Sequence, residues 1–438
     1  MAEIDAHFSA IDFSSHGSVA AAVSGGSDST ALLILLHEYL KTLPCAPQLT
    51  AVTVDHGLRA GSAGEAGKIK ALCARLDIAH VTTQWTGGKP GTGIQAAARE
   101  ARYDLIAQAA RQAGASLVLT GHTEDDQLET VFMRAERGEG PGLAGMAPAT
   151  LSFNDFDHGP PLWFARPLLK ERRLDLRGAL MKRGVKWSDD PSNANPDFER
   201  VRVRQTLARS NMSVLDELRH RQAQWARART ALSQRIARII GAYVSEAAPG
   251  LILISPDVAR DRDHEAAAEA LRICFALAGG SAKMIEFERA HGLLSLLARG
   301  EPFRMTASRA LLDRRKQGLF VLRERRDVPE PDEMSKSFDN RFVIPELFRA
   351  PPHAARFALP GKESVSNAVN TSDAPDSLWR QAQALTPEII AEGASPSQTP
   401  RRLINPWPLR LPLFDLSAAS ALARLTGAEP FPRPPCSL

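Results

Sequence analysis

The residues best suited to chemistry stand at 24–29, Ser24-Gly25-Gly26-Ser27-Asp28-Ser29. A short apolar run at 19–23 leads into them, and an apolar helix candidate at 30–40 follows at once. Strand, Gly-Ser loop and helix N-terminus make a phosphate cradle. Glycines let the backbone approach the anion, successive N–H groups point at it, and the helix dipole favours negative charge. The segment matches neither G-x-x-x-x-G-K-[ST] nor G-x-G-x-x-G. A second polar cluster is Asp55-His56-Gly57-Leu58-Arg59. A third, Gly121-His122-Thr123-Glu124-Asp125-Asp126-Gln127-Leu128-Glu129-Thr130, opens a helix candidate. Asp126 and Glu129 are spaced i, i+3 and share a face, where two carboxylates can bind Mg²⁺ or grip an ammonium group. Three acids in a first turn also complement the helix dipole, so simple N-capping competes with that reading. Arg99 and Arg102, again i, i+3, suit an α-phosphate or a departing pyrophosphate.

The elements that must position these residues alternate over the first 136 residues. Strand candidates at 19–23, 49–54, 80–84 and 116–120 are separated by helix candidates at 30–40, 62–76, 94–113 and 123–136. Near-continuous apolar strands between amphipathic helices imply a parallel sheet covered on both faces. In such sheets ligands sit beyond the C-terminal strand ends, where every cluster above falls. Residues 137–165 read as loops, and helical patterning resumes at 167–184 and 198–209. A long helix is expected over 212–243, with Arg219, Arg221, Arg227, Arg229, Arg235 and Arg238 on a basic face. Residues 250–327 show apolar helical segments and a strand-like tail at 318–322. Val328-Pro329-Glu330-Pro331-Asp332 reads as a linker, and the Ser/Asn/Pro-rich stretches 362–376 and 392–400 read as mobile. The expected division is 1–210, 211–327 and 328–438.

At 438 residues with 44% hydrophobic and 24% charged side chains, the chain has an ordinary globular composition. Its four cysteines, Cys45, Cys73, Cys274 and Cys436, form no C-x-x-C pair, which fits a reducing compartment and neither a zinc knuckle nor a disulfide framework. No apolar run approaches a membrane span and the N-terminus lacks a signal-peptide core, so a cytoplasmic protein is expected. The net charge of +4 is unevenly spread. Residues 1–150 carry 11 basic and 16 acidic side chains, whereas 151–330 carry 32 and 23, and 27 of those 32 are Arg. An Arg-rich middle, including Arg200, Arg202, Arg204, Arg219 and Arg227, suggests a polyanion larger than a nucleotide; a solvated helix face is the alternative.

The loop at 24–29 resembles the SGGxDS PP-loop of ATP pyrophosphatases, which cut ATP between the α- and β-phosphates and leave an adenylated intermediate. SGGxDS, DHGLR, an ARxxRY helix and GHxxDDQxET, in this order, resemble the tRNA(Ile)-lysidine synthetase family. Arg137-Gly138-Glu139-Gly140-Pro141-Gly142-Leu143, Arg166-Pro167-Leu168 and Asp189-Asp190-Pro191-Ser192-Asn193 extend the likeness. Beyond 204 it thins to the basic helix and Phe338-Asp339-Asn340-Arg341-Phe342. Two departures stand out: the family's RGSGxxGL loop is RGEGPGL here, and its RNxxR element has Val201 for Asn. The resemblance implies an α/β fold with a parallel-sheet PP-loop domain, a helical linker and smaller C-terminal domains. It implies ATP held by Ser24, Gly25, Gly26, Ser27, Asp28, Ser29, Asp55 and His56, with Mg²⁺ at Asp28. Free L-lysine would be held by Asp126 and Glu129, with Asp28, Arg102 and His122 sharing the chemistry. The macromolecular partner implied is the isoleucine tRNA with a CAU anticodon, with no membrane, the enzyme acting as a monomer or homodimer. A PP-loop tRNA thiolase is the alternative of the same chemistry, but it needs a sulfur carrier, and no cysteine pair is placed for one. A non-catalytic RNA-binding protein leaves the intact acidic and glycine motifs without purpose. A small-molecule amide synthase leaves the Arg-rich middle unexplained.

Overall fold

The computed structural model describes residues 6–55, 62–85, 94–153, 160–188, 197–332, 335, 337–344, 355–391 and 400–437. His56 and Asp189-Asp190-Pro191-Ser192-Asn193 lie outside the described residues, as do 392–399. Along the chain come β1 (Ser18–Ala22), α1 (Ser27–Leu40), β2 (Gln48–Asp55), α2 (Ser62–Leu76), β3 (Ala79–Gln84), α3 (Ile94–Gln112), β4 (Leu117–Thr120) and α4 (Glu124–Ala135). Then follow β5 (Ala149–Ser152), β6 (Leu162–Ala165), α5 (Arg173–Lys182), α6 (Glu199–Arg209) and the long α7 (Met212–Tyr243).

The strand order is β5-β6-β4-β1-β2-β3. All pairings from β6 to β3 are parallel and β5 is antiparallel to β6. The order reverses between β1 and β4, which makes that junction the topological switch point. Ala22 lies opposite both Val52 and Thr120, so the segments leaving β1 and β4 emerge side by side. Small residues in β1 let Ala20 pack with Val52, Val118 and Phe164 against Tyr103, Ile106, Ala107 and Ala110 of α3. Helix α1 is buried nearly all round, from Thr30 through Leu36. A second core joins α4, α6 and the start of α7 through Leu128, Val131, Val203, Leu207, Leu215 and Leu218.

Two compact units divide the chain. One holds 1–229 with 412–414 and 433–438, and the other 230–411 with 415–432. In the second, where the sequence shows helices and one strand-like tail, α8 (His264–Gly279) and α9 (Phe287–Arg299) accompany a five-stranded antiparallel sheet. Its strands are β7 (Val244–Ala248), β8 (Leu251–Ile254), β9 (Arg304–Ala307), β10 (Ala310–Arg315) and β11 (Gly318–Arg323), in the order β7-β8-β11-β10-β9. The Phe338–Phe342 motif is structural. Asp339 and Asn340 take left-handed φ values of 53° and 54°, and the Asp339 carboxylate holds the buried Arg323 and Arg341 at 2.8 Å each.

Three sequence expectations need correction. The presumed loop 137–165 contains β5 and β6, which at four residues each are too short to display a period. The helix expected from 167 starts only at Arg173, because Leu168–Glu171 closes a turn. The stretch expected to be mobile from 362 contains a helix, Lys362–Asn367, and a turn in which Asn370 binds Ser372 and Ala374.

Candidate active site

The phosphate loop follows β1. Gly25 takes φ +91°, a conformation costly for any side chain. Gly26 is the N-cap of α1 and provides no side-chain cap, so the first N–H groups of the helix point outward without one. The loop is braced from within. The Ser24 N–H donates to Ser29 Oγ at 3.1 Å, and Ser29 Oγ donates to the Gly26 carbonyl at 3.2 Å. The Ser27 hydroxyl donates to Asp28 Oδ1 at 2.8 Å. It is also braced from outside, by the Ser188 N–H on the Gly25 carbonyl at 2.9 Å and Arg177 Nε on Ser27 Oγ at 3.3 Å. Gly121, just past β4, is needed by proximity. A Cβ there would lie 2.8 Å from the Asp28 carbonyl oxygen and 3.0 Å from Ser29 Cα. Asp55 ends β2, half-buried, at the same edge of the sheet.

The α4 N-terminus is built oppositely. Thr123 caps it, and Asp126 closes a capping box by accepting the Thr123 N–H at 2.9 Å on Oδ2. Capping and site-building therefore coexist, since Asp126 Oδ1 faces Arg173 Nη2 at 3.2 Å and Arg200 Nη2 at 3.5 Å. One turn on, Glu129 is 1% exposed and receives Arg200 at 2.8 Å and Arg204 at 2.7 Å. Arg173 links the two helices, reaching Asp28 at 2.8 Å and Glu129 at 3.7 Å. Burial alone would raise the Asp126 carboxyl. The charges of Arg173 and Arg200 and the hydrogen bond from the Thr123 N–H oppose burial and hold it below the usual carboxylate range.

His122 Nδ1 lies 3.0 Å from Thr120 Oγ1, and the charges of Arg166, Arg99 and Arg102 act on its ring. Desolvation, then the positive charge of Arg166, holds its imidazole far below the ordinary value and neutral at pH 7; Asp126 opposes them, while Arg99 and Arg102 add to the depression. Burial and the nearby charges of Arg99 and Arg200 likewise lower Arg102. Arg166 is fixed by the Ala147 carbonyl at 2.8 Å and Thr150 Oγ1 at 3.0 Å.

The five arginines expected on RNA have different settings. Arg200 and Arg204 lie on Glu129. Arg202 points the other way, exposed, with Nη1 on the Asp197 carbonyl at 3.0 Å. Arg219 binds Glu124 at 2.9 Å and Asp216 at 2.7 Å, and Arg227 is exposed. Both departures from the motifs have local reasons. Glu139 pairs with Arg221 and accepts the Trp225 indole N–H at 3.2 Å, tying the shortened loop to α7. Val201 is buried beside Val203 and Leu207 on the inner face of α6. The residue that sequence reasoning missed is Arg173. Its partners lie 145 and 47 positions away, and nothing in the run Glu171-Arg172-Arg173 marks it out.

Residues 2–211 match the PP-loop domain family. A tRNA(Ile)-lysidine synthase of Mesorhizobium japonicum is 41% identical, covering 98% of this chain and 96% of its own. One of Rhizobium meliloti is 38% identical over 94% and 92%. Among solved structures, a U34-tRNA thiolase, NcsA of Methanococcus maripaludis, aligns at 18% identity and TM-score 0.40 over 48% of this chain and 72% of that one. Cys73 and Cys274 are buried, and desolvation pushes their thiols up to about 11 and 12, a setting that disfavours thiolates. With a PP-loop at the switch point, an acid pair beside it and relatives matching from end to end, the chain belongs to the tRNA(Ile)-lysidine synthase family.

Proposed function

We propose that this protein joins L-lysine to C2 of the wobble cytidine of the isoleucine tRNA with a CAU anticodon. ATP adenylates the base, pyrophosphate leaves, and the lysine ε-amine displaces AMP to give lysidine. One observation carries the reading. Asp28 of the phosphate loop and the Asp126–Glu129 pair converge on a single guanidinium, so the ATP loop and a carboxylate pair suited to an ammonium share one chamber.

Cytosine O2 is a poor leaving group and is activated as the adenylate. The uncapped N–H groups of α1 and the positive charges of Arg99, Arg102 and Arg166 suit the charge that develops as pyrophosphate departs. Asp28 would hold Mg²⁺ together with the ATP phosphates. Its carboxylate already carries a cation, Arg173, and a single carboxylate plus phosphates is the usual donor set for this ion. A magnesium ion held there would supply charge neutralisation for the leaving pyrophosphate. The lysine ammonium, with a reference pKa of about 10.4, must lose a proton before it attacks. Asp126 and Glu129 orient it. His122 is kept neutral partly by Arg166, Arg99 and Arg102, the charges that bound phosphates compensate. Neutral, it adds no positive charge beside the acid pair that is to receive the ammonium.

Residues 1–210 would carry the chemistry, with the basic helix and helical domain of 211–327 binding tRNA and 328–438 forming a C-terminal domain. The base must be unstacked, as in recognition of single-stranded loops. Among the described residues no helix is long and apolar enough to cross a membrane, and we place the reaction in the cytoplasm. The test is nucleoside mass spectrometry of the tRNA after incubation with protein, ATP, Mg²⁺ and lysine. Lysidine is expected at the wobble position, and an unmodified cytidine there refutes the assignment.

A further inference from the structure

The acid pair is already full. Asp28, Asp126 and Glu129 face Arg173, Arg200 and Arg204, three carboxylates against three guanidinium groups. Each of the six carboxylate oxygens has a donor. Ser27 and Arg173 serve Asp28. Thr123 takes Asp126 Oδ2, while Arg173 and Arg200 take Oδ1. Arg204 and Arg200 take the two oxygens of Glu129. A substrate ammonium arriving here adds a positive charge to a balanced site and meets guanidinium donors already seated on both carboxylates of the pair.

Arg173 differs from the other two arginines. It alone touches the phosphate loop, and it spreads its three nitrogens over three carboxylates at 2.8, 3.2 and 3.7 Å. Its backbone cannot follow, because its own N–H is held by Asp125 at 2.7 Å at the start of α5. Only the long side chain can turn. A triphosphate on the loop supplies what would turn it: several negative charges with oxygen pairs that match the guanidinium fork.

We propose that Arg173 is a resident counter-cation that occupies the ammonium position, and that bound ATP draws it off Asp126 and Glu129, so that lysine binds after ATP. The proposal rests on Asp126 and Glu129 being the lysine-binding pair. It makes Arg173 a positioning residue that couples the two substrate sites, and linkage requires lysine to tighten ATP binding by the same factor.

The test is calorimetric titration of L-lysine into the full chain, with and without Mg²⁺ and α,β-methylene-ATP, which the loop can bind but not cleave. In the wild type the analogue should tighten lysine binding by about tenfold or more, within the usual range of such couplings. In Arg173→Gln, lysine should bind without the analogue and the coupling factor should fall toward one. Arg173→Lys, whose point charge cannot bridge three carboxylates, should fall between them, and it serves also if the Gln variant fails to fold. Lysine binding indifferent to the analogue in the wild type, or coupling unchanged in the variants, overturns the counter-cation role and leaves the lysine site standing. No lysine binding to any form under either condition overturns both.

Discussion

Asp28 stands in the phosphate loop after β1, while the exposed arginines lie elsewhere. Asp28→Ala should therefore slow formation of adenylated tRNA by about a hundredfold or more, the usual cost of losing one charge-stabilising group. tRNA affinity measured by filter binding should stay within about twofold, a span of about half a kcal/mol. Normal adenylation by the variant would remove Asp28 from the site. For the acid pair the informative substitutions keep shape. Asp126→Asn and Glu129→Gln each weaken a charge-assisted hydrogen bond worth about 1.5–3 kcal/mol, so KM for lysine should rise at least about tenfold. KM for ATP should barely change, and equal rises would indicate a shared metal site instead. His122 has a stability signature. Its pKa is depressed in the folded protein, so between that value and its unfolded value near 6.5 the unfolded chain binds the extra proton. Stability is thus lost as pH falls below about 6.5. Urea titrations at pH 7.5 and 5 should show His122→Asn losing less than the wild type. An identical loss would mean the imidazole is already solvated. His16, His37 and His80 shift in the same direction and are common to both proteins, so they cancel in the comparison.

At the scale of elements, two strand ends and two helix starts make the site, and Gly121 is where they touch. A methyl added there would lie 2.8 Å from the Asp28 backbone carbonyl oxygen. Gly121→Ala should cost about 1–3 kcal/mol in denaturant titrations and weaken ATP binding in parallel. Retained stability with retained ATP affinity would show that the two loops move apart freely. The sequence carried the alternation of strands and helices over 19–136 because period and apolar runs are local properties. Helices 62–76 and 212–243 appear with the boundaries expected, Ser62–Leu76 and Met212–Tyr243. β5 and β6 escaped detection because their stability comes from pairing with β4 and with each other. The strands around β11 were mostly hidden for the same reason: antiparallel partners such as β8 lie about 65 residues away, beyond any local pattern.

For the whole molecule, the Arg-rich middle separates into half-buried and exposed charges. Arg219 and Arg221 are held by Glu124 and Glu139, whereas Arg202 and Arg227 are exposed. If the exposed ones meet tRNA phosphates, the double variant Arg202→Ala/Arg227→Ala should flatten the log–log salt dependence of tRNA binding by about one to two units, with ATP affinity unchanged. Arg219→Ala should instead disturb catalysis by loosening Glu124 at the start of α4. An unchanged salt slope in the double variant would place the tRNA on another surface. By itself the sequence determined the phosphate loop, the parallel α/β order, the acid pair on one helix face and the family, because glycines, strand runs and i, i+3 spacing act within a few residues. Only the tertiary structure decided which arginines face the acids and which face solvent. A buried carboxylate recruits whatever cation the fold brings near it, and Arg173 and Arg200 reach Glu129 from segments 44 and 71 positions away.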